Sequence, residues 1–157
     1  MSTAAYLGRN AKLYLNTGSY GSPTWSEVAN ISDLTLNRAW DEAEANSRES
    51  SMKMALKTLL DGSVSGKMKF TIGDSNTTTI LDALNSPTTA LDIMCLNQSQ
   101  TTTGAYGLRY PCQVTQGNED QGLGVALYED LKFMPTPSTN APCTVKVVGG
   151  APVFTAI

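Results

Sequence analysis

Apolar and polar positions alternate with a period of two along much of this chain, the spacing of strands that bury one face. The clearest run spans Ser63 to Ile72. Val64, Met68, Phe70 and Ile72 fall on one face, and Ser63, Ser65, Lys67, Lys69 and Thr71 on the other. Ala11–Leu15 repeats the pattern, with Leu13 and Leu15 set against Lys12 and Tyr14. A turn rich in Gly and Ser follows from Asn16 to Pro23. Trp25–Leu36 then resumes β-favouring composition, so the opening reads as a hairpin-like unit. Met52–Leu60 has helix-favouring residues, yet Met52, Met54 and Leu56 alternate with Lys53 and Lys57. The alternation predicts a strand, joined to the Ser63 strand by a tight turn at Asp61-Gly62.

Helical spacing is confined to one place. Asp74, Ser75 or Asn76 can cap a helix over about residues 75–85. Ile80, Leu81 and Leu84 form its apolar stripe, and Asn85-Ser86-Pro87 stops it. Leu91–Leu96 predicts a strand, and Gln98–Gly107 a Thr/Gly-rich loop. Leu108, Tyr110, Cys112 and Val114 alternate with Arg109, Gln113 and Thr115, where Pro111 implies an edge or a bulge. Gly117–Gly124 predicts a turn and Val125–Met134 a strand. Pro135–Pro142 is a connection, and Thr144–Val148 a late strand. Eight or nine strands and one helix make a mainly β fold over a single domain, 1–157: an antiparallel β-sandwich or barrel with one flanking α-helix.

Charge is concentrated where alternation fails. Asn37–Ser51 holds Asp41, Glu42, Glu44 and Glu49 with Arg38 and Arg48, and its one large apolar residue is Trp40. Such a segment predicts a long exposed loop or arm. It is either simply solvated or a contact arm whose charges set orientation against a neighbour. Trp40 is either its anchor or ordinary core. Elsewhere the chain of 157 residues is poor in charge, at 16% against the roughly 25% usual in soluble domains. Its polar positions are instead filled by 43 Ser, Thr and Asn residues. Neutral groups desolvate at lower cost than ions, which suits a subunit surface covered by neighbours.

The chemistry names no reaction. With no histidine there is no Ser–His or Cys–His pair and no imidazole acid–base or metal ligand. Cys95, Cys112 and Cys143 are odd in number and widely spaced, and read as buried thiols. Gly62–Met68 fails as a phosphate loop, Ser50–Lys53 lacks the companion motifs of a Ser-x-x-Lys enzyme, and Asp74–Asn76 lacks the Gly and Glu of a calcium loop. Adjacent carboxylates at Asp41/Glu42, Glu119/Asp120 and Glu129/Asp130 would point to opposite faces of a strand. Asn30, Asn76 and Asn97 open glycosylation sequons by pattern alone. No cofactor, metal or catalytic residue is expected. A net charge of −3 argues against a nucleic-acid grip. No run approaches the ~18 apolar residues of a membrane helix, and no secretion signal opens the chain, so synthesis in a cytoplasm is expected.

Taken as one string, Leu7-Gly-Arg-Asn-Ala-Lys-Leu-Tyr14, the Gly-rich turn, Trp25, Val28, Ile31 and Asp33-Leu-Thr-Leu36 lead into the acidic stretch ending at Arg48 and then Asp61–Phe70. Over about residues 7–95 this resembles the tail tube (major tail) proteins of long-tailed bacteriophages. The resemblance departs at Glu44–Arg48, which lacks the family's Thr residues, and at Pro135–Pro142. It implies a structural virion protein assembled in the host cytoplasm and not an enzyme. Its rings, hexameric as a rule, stack into a hollow tube through which DNA passes unbound. Implied partners are further copies of the chain, and tape-measure, tail terminator and baseplate proteins. The arm contacts implied are Arg38, Trp40, Asp41, Glu42, Glu44 and Arg48. The strands carrying Lys53 and carrying Ser63, Ser65, Lys67 and Lys69 become candidates to line the ring. Other assignments are the inner tube of a contractile injection system, a capsid-decorating or head–tail connector protein, or a carbohydrate-binding β-sandwich.

Overall fold

The computed structural model describes residues 10–45, 48, 51–124 and 126–157. Leu7–Arg9 of the opening motif, four positions of the charged arm (46, 47, 49 and 50) and Val125, expected to start a strand, lie outside them. Among the described residues the chain forms nine strands and one helix, in the order β1 (Lys12–Asn16), β2 (Trp25–Glu27), β3 (Ile31–Glu44), β4 (Ala55–Lys69), α1 (Ser75–Leu84), β5 (Leu91–Leu96), β6 (Tyr106–Asp120), β7 (Tyr128–Pro135), β8 (Cys143–Val148) and β9 (Ala151–Ala156).

All strands join one antiparallel sheet of order β2-β1-β5-β6-β7-β4-β3, and β8 leaves β6 to pair with β9. The sheet curls into an open half-barrel. Its inner side carries the main core: Leu13 and Leu15 from β1, Val64 and Met68 from β4, Ile93 and Cys95 from β5, Leu108 and Tyr110 from β6, and Leu131 and Phe133 from β7. Ile80 and Ala83 of α1 close this side, with Leu81 and Leu84 packed against it. Asp74 caps α1 by accepting the Thr77 amide at 2.9 Å, as the sequence predicts.

A second cluster lies on the opposite face of β1, β5 and β6, where Tyr14, Met94 and Leu96 meet Val145 and Val147 of β8. β5 is therefore buried on both faces, and its unbroken apolar run Ile93–Leu96 reflects that. Gly107 makes this layering possible, since an added Cβ there would collide with the Cys95 carbonyl.

Four expectations need correcting. Asp61-Gly62 is no turn: β4 is continuous through it, with Gly62 opposite Arg38 and Asp61 opposite Ala39. Long-range pairing with β3 overrides the local turn signal, and Gly62 suits a close approach, since a Cβ there would meet Leu108 at 3.3 Å. Asn37–Ser51 is not a loop throughout, because β3 continues to Glu44 and forms a two-stranded ribbon with Ala55–Gly62. Met52 and Lys53 fall outside β4, which begins at Ala55. Gly117–Asp120, expected in a turn, belongs to β6 and pairs with Tyr128–Leu131. β9 was not foreseen. Gly149 (φ 62°) and Gly150 (φ 79°) turn β8 into it with both residues left-handed, a conformation glycine adopts without penalty.

Pro111 sits where β6 changes partners. β8 pairs with β6 up to Arg109, and β7 takes over from Cys112. The Pro111 carbonyl accepts the Thr136 amide at 3.0 Å, so the missing Pro N–H faces this fork, where no ladder bond is lost. A register shift between Val114 and Gln116 adds the bulge.

Candidate functional site: a polar sheet face and a projecting ribbon

β3, β4, β7 and the later part of β6 form a four-stranded layer with unlike faces. Alternate residues Val64, Met68, Leu131, Phe133 and Val114 enter the core, so their neighbours point outward. The register aligns Ser65 with Lys132, Lys67 with Asp130, and Lys69 with Tyr128. Gln116 and Asn118 of β6 continue the rows from Lys132 and Asp130, and Ser32 and Thr35 of β3 continue those from Lys67 and Ser65. The face is thus Ser, Thr, Asn and Gln studded with lysine and aspartate, and it is open to solvent at Ser32, Thr35, Lys69, Asn118 and Asp130. Ser63, Ser65, Lys67 and Lys69 all lie on it. Asn37 donates to Ser63 Oγ at 3.3 Å and covers it. Lys53 is not among them; it lies at the ribbon tip, 3.2 Å from Glu44.

Both edges of this layer are open. β3 has a strand on one side only, and β5 stops pairing with β6 at Cys112, so among the described residues β6 has β7 on one side and no second strand on the other from Gln113 onward. β3 carries a bulge after Ser32, where Asp33 adopts φ 53°, rare for a residue other than glycine. Bulges twist an edge away from casual pairing.

Past this layer, Arg38–Glu44 and Ala55–Gly62 pair only with each other among the described residues, and Trp40, Thr58, Leu59 and Leu60 border a recess with Tyr110, Pro135, Pro142 and Ile157. Trp40 is 40% exposed and is not core; Lys57 Nζ lies 5.5 Å from its ring centroid. Glu42 stands opposite Lys57, and Asp41 lies at a second bulge, where its carbonyl accepts from Thr58. Leu56 and Leu59 are 62% and 71% exposed, an apolar content unusual for a solvated arm. Arg48 lies exposed beyond the strand. Arg38 stands apart from this acidic end: it borders a recess with Tyr106, Lys146 and Val153.

Two side chains escaped the sequence reading. Arg109 is 3% exposed, with Asp92 Oδ2 at 2.7 Å from Nη2 and the Tyr20 carbonyl at 2.8 Å. Tyr20, Phe154 and Trp25 surround its guanidinium at 3.9, 4.6 and 5.0 Å. The cage ties the β1–β2 turn and β9 to β6. Its only sequence sign was a cation at a position of β6 that alternation leaves outward. Tyr20 also donates to the Ala141 carbonyl, and burial, reinforced by the bond to Cys143, pushes its phenol up to about 12. Glu129 and Asp130 do point to opposite faces: Asp130 joins the polar layer, and Glu129 is buried opposite Glu119. Burial first, and then the Glu119 charge, raise the Glu129 carboxyl above the usual range. All three cysteines are free and buried.

No protein-family model matches the chain, and no curated protein does. Solved structures do. The tail of an empty gene transfer agent (GTA) particle, determined with C6 symmetry, superposes with a TM-score of 0.65 at 16% identity, covering 97% of this chain and 100% of that one. This is a tail tube fold. The SPP1 tail tube has the same TM-score at 8% identity, over 83% of this chain and 75% of that one. A chain of the anti-feeding prophage (AFP) baseplate matches at 0.60 and 14% identity, over 94% and 99%. The GTA tail match thus takes in nearly all of this chain, well beyond the residues 7–95 that carried the sequence resemblance.

Proposed function

We propose that the chain is a structural subunit of a phage-type tail tube, acting in a virion tail and catalysing nothing. The observation that carries this reading is the four-stranded layer with an apolar inner face, a neutral-polar outer face and two open edges. A ring forms when the β3 edge of one copy pairs with the Gln113–Asp120 edge of the next, a heterologous contact that closes by rotation. Four strands from each of six copies, the symmetry of the GTA tail, make a 24-stranded barrel. At about 4.8 Å between strands its backbone diameter is at least ~37 Å, and more when strands tilt. Side chains leave a duct that clears duplex DNA, about 20 Å across. The ribbon is the contact with the adjacent ring, through Trp40, Asp41, Glu42 and Glu44.

Negative-stain electron microscopy of the purified protein over a concentration series tests this reading. Hollow rings or tubes support it. A protein that stays monomeric when supplied with tail-tip assemblies, yet decorates preformed capsids, overturns it in favour of a decorating role. A variant of this reading is the inner tube of a contractile injection system, and the match to a baseplate chain is compatible with either. A sheath gene beside this one distinguishes the two.

A further inference from the structure

The polar layer is not the acidic surface that a net charge of −3 suggests. Lys67 and Lys132 share a recess of about 420 Å³ with Asp33 and Asp130, floored by Ser65 and Gln116. Asp130 stands directly across from Lys67 and two residues before Lys132 on the same strand. Asp33 is brought to the recess from the β3 edge by the bulge that gives it φ 53°. Among the described residues none of these four charges is in an ion pair within 4 Å. Lys67 instead lies 5.1 Å from the Tyr128 ring centroid. The charges therefore alternate without binding one another, the two aspartates exposed and the two lysines half-exposed.

Their spacing has a physical consequence. Charges of opposite sign within one recess cancel beyond about a Debye length, ~8 Å at physiological ionic strength. Lysines alone would engage phosphates and release counterions, which is how proteins hold DNA without sequence preference. We infer that Asp33 and Asp130 are charge-cancelling residues. They offset Lys67 and Lys132 so that a duplex moving along this face is not retained. The inference rests on the polar layer lining the duct.

The test uses assembled tubes of the wild type, the D33N/D130N variant and a D33N/D130N/K67Q/K132Q variant, each mixed with a short fluorescent DNA duplex. At about 50 mM salt the double variant should hold the duplex roughly tenfold more tightly than wild type. It should lose that hold by about 200 mM. The quadruple variant should return to wild-type behaviour. A double variant that binds no better than wild type overturns the inference. Should it fail to polymerise, unassembled subunits serve, because the face is exposed in them; equal binding again overturns it. A Ser65→Cys variant separates this from failure of the tube reading. On assembly its thiol should stop reacting with a bulky maleimide while still reacting with a small one. Continued reaction with the bulky reagent removes the duct assignment, whatever the DNA result.

Discussion

Arg109 and Asp92 close on each other at 2.7 Å with side chains only 4% and 15% exposed, and Asn16 donates to the same carboxylate at 2.9 Å. The pair joins β5 to β6 on the face that receives the β8–β9 hairpin. Two charges leave water there because each is fully engaged: the guanidinium by a carboxylate, a carbonyl and three rings, the carboxylate by Arg109 and Asn16. Removing one partner strands the other. Arg109→Ala and Asp92→Ala should each cost about 3–5 kcal/mol in urea unfolding. Arg109→Lys should recover only part of this, since an ammonium cannot reproduce the bidentate fork or the stacking. Wild-type stability in Arg109→Ala would remove the pair from the list of structural anchors.

Gly107→Ala should be at least as damaging as an ordinary overpacking change, about 1–3 kcal/mol, because backbone and not a side-chain tip stands in the way. Gly21→Ala meets nothing within 4 Å and is the matched control. Thermal melts of the two variants should separate clearly.

Glu129 predicts a pH dependence of definite sign. Its folded-state carboxyl holds a proton more tightly than the unfolded chain's, mainly through burial. Such a group binds more protons when folded. The stability this confers is full below the unfolded value, about 4.3, and falls as pH rises through the raised folded value. Glu129→Gln should therefore raise the melting temperature at pH 7 and have little effect near pH 4. A gain of the same size at both pH values would mean that the effect is not protonation.

Reversing Glu42 and Glu44 together, as Glu42→Lys with Glu44→Lys, should weaken ring stacking and leave the fold intact. Within the subunit the change sets like charges against Lys57 and Lys53, but the Glu44–Lys53 pair is 70–75% exposed. Exposed pairs contribute little to stability, under about 1 kcal/mol. Circular dichroism should be unchanged while tubes shorten to rings. Tubes of normal length from the double variant would remove the ribbon from the stacking contact.

Much of this architecture was legible in residues close in sequence. The Ser63–Ile72 alternation located the later part of β4, whose outer face carries Ser65, Lys67 and Lys69, although the strand ends at Lys69 and Phe70 and Ile72, expected on the buried face, lie beyond it and exposed. The Asp74 cap and Pro87 bracketed α1 to within a residue. β9 could have been found, since Gly149-Gly150 between Val148 and Ala151 is a two-residue hairpin signal. Asp61-Gly62 misled for the opposite reason: a turn dipeptide was absorbed into a long strand by pairing with residues about 22–24 positions away.

What the sequence determined by itself was which residues share a face, because side-chain direction in a strand follows from covalent geometry with a period of two. It also determined the chain's low charge and its lack of imidazole chemistry. The tertiary structure alone decided which faces are covered. Arg109 and Lys67 both stand at outward positions of alternating strands, and nothing nearby in sequence tells them apart. Arg109 is enclosed because β9 and the β1–β2 turn arrive from distant parts of the chain. Lys67, opposite Asp130 on β7 and Ser32 on β3, stays half-exposed because among the described residues no later strand is laid over this face. Burial is a property of the arrangement of strands, and that arrangement is set by contacts between residues far apart in the chain.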